Sequence, residues 1–99
     1  MSTLRVDLQE GFNGDEVDLR VNGQEAFQKG DVTTKQLLGL ASSAEIEVPN
    51  GTVTIEIKVP TKNLAKTISL KTSGSEYLGV SITNGKIEHI VSHEPFGYA

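Results

Sequence analysis

The sequence predicts an all-β domain: a two-sheet antiparallel β-sandwich of about eight short strands, immunoglobulin-like or jelly-roll-like in its connections, with one short helix near residues 33–41. Three observations carry this expectation. Apolar residues recur at every second position through most of the chain, which is the spacing of half-buried strands. The dipeptide Asn-Gly, whose residues both accept the positive φ of tight hairpin turns, occurs at 13–14, 22–23, 50–51 and 84–85. Turn signals come roughly every 8 to 12 residues and only one stretch has helical spacing, too little helix for a parallel α/β fold.

The clearest strand runs over 52–60. It sets Val53, Ile55, Ile57 and Val59 on one face and Thr52, Thr54, Glu56 and Lys58 on the other. The run 44–48 alternates in the same way, and Pro49-Asn50-Gly51 between them marks a turn, so the two are expected to pair as a hairpin. Cross-strand partners share a face, which requires an even loop. A four-residue loop over 49–52 sets Val48 against Val53 and Ile46 against Ile55, and spares Pro49 a ladder N–H that it lacks.

Earlier in the chain, Leu4, Val6 and Leu8 stripe a first strand and Val17, Leu19 and Val21 a second, joined by an even loop such as 9–16. Asn22-Gly23 turns the chain into 24–28, with Leu19 opposite Ala26 and Arg20 paired with Glu25; this register leaves Phe27 on the Arg20 side, away from the core. Thr33 and Gln36 read as a capping box, followed by Leu37, Leu38, Leu40 and Ala41 at helical spacing. A segment of about two turns containing Gly39 does not persist alone, so the helix is expected to plug one end of the sandwich.

Beyond the loop 60–63, strand 66–71 turns Ile68 and Leu70 inward. Strand 77–83 does the same with Leu78, Val80 and Ile82. Asn84-Gly85 folds it onto 86–92, with Ile87 facing Ile82, His89 facing Val80 and Val91 facing Leu78. The tail 93–99 loses the alternation and is expected to be irregular. Residues 1–99 read as one domain.

Composition narrows function by exclusion. The 99 residues include no Cys, which removes disulfides, thiolate metal sites and Cys nucleophiles together. Nine Lys and Arg against 13 Asp and Glu give a net charge of -4 with no basic cluster, which argues against nucleic acid. Neither a basic, apolar leader nor a long apolar run is present, so the expected setting is cytoplasmic, with no membrane partner. No Gly-x-Ser-x-Gly elbow occurs and Ser81 falls mid-strand; neither enzyme activity nor a cofactor is expected.

What remains is the surface. Phe96, Tyr98, Tyr77 and His93 are the candidate binding residues, because aromatic side chains give large contact areas and a tail bearing two of them is either docked on its own sheet or offered to a partner. Docking on its own sheet is preferred, since monomers seldom expose apolar patches. Asp7, Glu10, Asn13, Asp15 and Glu16 flank the first turn and are the candidate calcium ligands, although their spacing is not that of an EF-hand and Asp7 and Glu16 also suit the solvent side of strands. His89, His93 and Glu94 fall short of a zinc set.

The stretch Gly14-Asp15-Glu16-Val17-Asp18-Leu19-Arg20-Val21-Asn22-Gly23 resembles the strand-turn segment of small carbohydrate-binding sandwiches, a pattern that any β-hairpin produces. It implies a sugar ligand; the chain has no Trp for a flat stacking platform, and Tyr77 and Tyr98 are the rings left to stack on a sugar. The expected function is a noncatalytic binding module acting through protein–protein contact or self-association into a homo-oligomer. A calcium-dependent carbohydrate-binding module is the alternative.

Overall fold

The computed structural model describes residues 1–98. In chain order the strands are β1 (Ser2–Leu8), β2 (Asp15–Val21), β3 (Gln24–Val32), β4 (Ser42–Val48), β5 (Gly51–Val59), β6 (Leu64–Thr72), β7 (Ser75–Thr83) and β8 (Lys86–Ser92), with one 3-10 turn at Pro60–Lys62. They form a β-sandwich. Sheet A has the order β4-β1-β7-β8 and sheet B the order β3-β2-β5-β6. Every pair is antiparallel except β1 with β7, which is parallel. Among the described residues no helix is long and apolar enough to cross a membrane.

The alternating stripes meet between the sheets. Leu4, Val6, Leu8, Leu78 and Val80 of sheet A close against Val17, Leu19, Val53, Ile55, Ile57 and Val59 of sheet B, all of them buried. At about 25 cal/mol per Å² of apolar area removed from water, this layer is the main source of stability in a chain that has no disulfide.

The three hairpins that stay within one sheet are β2–β3, β5–β6 and β7–β8. In the last, Ile82 faces Ile87, Val80 faces His89 and Leu78 faces Val91, as the spacing predicts. Two expected hairpins are not formed. β1 and β2 lie in opposite sheets, and so do β4 and β5; residues 9–14 and 49–50 carry the chain across the core instead. β4 pairs with β1, setting Ile46 against Leu4 and Val48 against Ser2, while Val53 of β5 pairs with Leu70 of β6. A stripe of aliphatic residues is shielded equally well beside its neighbour or across from it, so face parity does not choose between the two arrangements. The crossing also relieves Pro49 of any ladder role: its carbonyl accepts from Thr72 Oγ1 at 2.6 Å.

The helix expected near 33–41 is absent. Lys35 forms a bridge with Leu40, and the N–H groups of Leu38 and Gly39 both donate to the Lys35 carbonyl, giving a tight turn with Gly39 at φ 69. Thr33, the expected N-cap, and its neighbour Thr34 are instead engaged across the end of the sandwich. Thr34 Oγ1 accepts from Phe12 N and donates to the Gln9 carbonyl, and Thr33 Oγ1 accepts from Gly14 N. Phe12, not the leucines, plugs this end: it is buried in the core while Leu37 is 92% exposed.

A β-bulge accounts for Phe27. Arg20 pairs with Glu25 as expected, but the register then shifts by one residue at Ala26, so that Leu19 faces Phe27 rather than Ala26. The ring thereby returns to the inner side and packs against the core. Arg20 does not bridge to Glu25; its Nε lies 3.7 Å from Asp18 Oδ2.

Candidate functional site

The outer face of sheet A is assembled from β1, β7 and the tail. Odd-numbered residues of β1 point away from the core, which places Arg5 and Asp7 on this face, with Gln9 just beyond the strand end. Asp7 is nevertheless only 2% exposed, because the tail returns over the sheet and covers it. Its Oδ1 accepts from Arg5 Nε at 3.1 Å and Ser43 Oγ at 2.8 Å, and its Oδ2 accepts from Tyr98 OH at 2.6 Å. Gln9 Nε2 donates to the same Tyr98 oxygen at 3.1 Å. Burial and the bond to Asp7 push the Tyr98 phenol above its ordinary range, so it remains a donor. The bond to Asp7, and its charge, likewise hold Arg5 more firmly protonated.

Gly79 leaves room for the Gln9 side chain in this arrangement. It pairs with Asp7 across β1 and β7, and a Cβ there would stand 2.8 Å from Gln9 Oε1. A side chain at this position would push the end of Gln9 off the sheet, away from the place where it meets Tyr98.

The tail residues singled out from the sequence are divided by this docking. Tyr98 and Phe96 are half-buried, and Tyr77 is half-buried on the outer face, where it lines a shallow hollow of about 210 Å³ with Arg5, Glu45 and Pro95. His93 is exposed, with Nδ1 2.9 Å from Glu76 Oε2. That contact lacks hydrogen-bond alignment, and the buried Glu76 Oε2 has no hydrogen-bond partner.

The acids proposed for calcium are not gathered. Asp7 belongs to the network just described on sheet A. Asp15 lies at the start of β2, where Oδ1 accepts from Thr61 Oγ1 at 2.7 Å and Oδ2 from Lys62 Nζ at 2.6 Å and Asn13 N at 2.8 Å. Burial works to raise the Asp15 carboxyl, but these three donors overcome it and leave its pKa below the ordinary 3.8. Glu16 accepts from Gln28 Nε2, and Glu10 and Asn13 are solvated side chains on the 9–14 crossing. Among the described residues no group of three or more His, Cys, Asp or Glu side chains is close enough to hold a metal ion.

No protein-family model matches the chain, and no curated protein matches it. The remaining guide to function is therefore the chemistry of the surface.

On that surface the free strand edges differ. β3 carries two bulges and a positive φ at Asp31. β4 turns Glu45 and Glu47 outward. β6 directs Lys66 toward the inner side, near enough to His89 to help hold its imidazole below the ordinary 6.5, burial being the larger cause. Bulges, carboxylates and inward charges are all devices that discourage pairing at an edge.

β8 has none of these in its second half. Among the described residues no strand lies beyond it, and it exposes Ile90 by 59% and Val91 by 43%. The sequence signal for this edge is small but present. In a strand with Ile87, His89 and Val91 facing inward, Ile90 is an aliphatic residue on the polar side.

Proposed function

We propose that this chain is a noncatalytic β-sandwich module that acts by protein–protein contact, and that its contact surface is the free edge of β8. The observation that carries this is the combination of two exposed aliphatic side chains, Ile90 and Val91, with an unpaired strand edge. An edge offers a row of backbone donors and acceptors, and apolar side chains beside it give a pairing partner something to bury. The tail does not compete for this role, since Tyr98 is held on the outer face by Asp7 and Gln9.

The test is photocrosslinking in cells that make the protein, with a benzophenone side chain at position 90 and, as control, at Thr54 on the outer face of sheet B. Protein adducts concentrated at position 90 are the expected result. Equal yields at the two positions, or none at 90, would remove β8 as the contact surface.

A further inference from the structure

The geometry points to a second copy of this chain as the partner of β8, paired antiparallel about a twofold axis at Ile90. This inference rests on β8 being the contact edge and adds who occupies it and in which register.

The turn fixes which groups are free. Asn84 and Gly85 have φ of 53 and 73, the conformation of a two-residue hairpin loop, and the flanking pair Thr83 and Lys86 is then hydrogen-bonded. Alternation along the ladder makes Glu88, Ile90 and Ser92 the residues bonded to β7. Ile87, His89 and Val91 consequently direct their N–H and C=O groups to the open side. A second β8 running antiparallel meets the same set, so the edge is complementary to itself in any register that pairs odd with odd and even with even residues.

Side chains choose among those registers. Centring the axis on Glu88 opposes two carboxylates. With the axis on His89, two imidazoles would face each other, each with a buried Nδ1 that has no hydrogen-bond partner, and Ile90 would face Glu88. An axis at Ile90 sets Ile90 against its copy, Val91 against His89 and Glu88 against Ser92. It opposes no like charges and covers both exposed aliphatic residues. The ladder is short, with about four backbone hydrogen bonds inside the strand, so the dimer is a weak one that forms reversibly.

The chain has no cysteine, which makes crosslinking a direct test of register. Opposed residues in a non-hydrogen-bonded antiparallel pair have Cα atoms about 4.5 Å apart, within disulfide reach. Purified full-length I90C is expected to oxidise to a covalent dimer. E88C and H89C alone should remain monomers, whereas a mixture of E88C and S92C should crosslink. Light scattering of the unmodified chain up to about 1 mM should show a monomer–dimer equilibrium, weakened at least about tenfold by Ile90→Lys and by Val91→Lys.

A strict monomer overturns self-association, and it leaves the β8 contact reading standing if position 90 still photocrosslinks to a different protein. Dimers that ignore both substitutions overturn the use of β8. Crosslinking through E88C or H89C in preference to I90C overturns the register.

Discussion

Asp7 gathers three donors on two oxygens, so deleting its carboxylate strands Arg5, Ser43 and Tyr98 together. Arg5 and Ser43 reach water and recover most of what they lose. The half-buried Tyr98 hydroxyl keeps its donor Gln9 but loses the acceptor for its own proton. We expect Asp7→Ala to cost about 2–3 kcal/mol, in line with hydrogen bonds to charged groups, and Tyr98→Phe about 1 kcal/mol. The two losses should not add, because each removes the bond the other makes: the double variant should fall short of the sum by about 1 kcal/mol in urea titrations. Additivity within error would mean that the Tyr98–Asp7 bond does not hold the tail to sheet A.

Which segment closes the end of the sandwich is equally open to measurement. Phe12 is buried at the end closed by the 9–14 crossing and the 33–41 turn, so Phe12→Ala should cost about 3–5 kcal/mol. Leu37→Ser should stay within about 0.5 kcal/mol, as expected for a turn residue that touches nothing. A helix plugging that end would reverse the order, and equal losses would count against the observed turn. This contrast also marks where the sequence was legible. Period-two alternation survives whichever sheet a strand joins, so strand positions and inner faces, including the β7–β8 register, could be read directly. Pairing could not, because β1 and β2, or β4 and β5, satisfy the same parity across the core as side by side. Leucines at helical spacing misled because the expected cap Thr33 and its neighbour Thr34 were committed to the 9–14 crossing, a long-range contact with no local signature. The surface followed the same division: Tyr98 was identifiable as an aromatic, but its bond to Asp7 depends on the tail folding back. The β8 edge had only Ile90 on the wrong face to announce it.

Acid should destabilise the folded chain in two stages. His89 is held below 6.5 in the folded state by burial and then by Lys66, so the folded state binds fewer protons than the unfolded one. Its contribution is complete above an unfolded value of about 6.5 and is lost as pH falls through the folded value. Asp15 is also held below its ordinary 3.8, and its contribution is complete above that value and lost at lower pH still. Stability measured by urea midpoints should therefore decline between about pH 7 and 5 and again below about pH 4. His89→Leu should flatten the first decline, and it should cost little at neutral pH because Nδ1 has no hydrogen-bond partner to lose. Lys62→Met should flatten the second, at a cost in stability above it. Burial is the largest influence on Asp15, so without the ammonium 2.6 Å away its carboxyl pKa moves upward and acid destabilises less steeply, from a lower plateau. If His89→Leu keeps the full slope between about pH 7 and 5, the imidazole is not the group that titrates there, and the packing of β8 against the Lys66 edge of sheet B is not what couples this fold to pH.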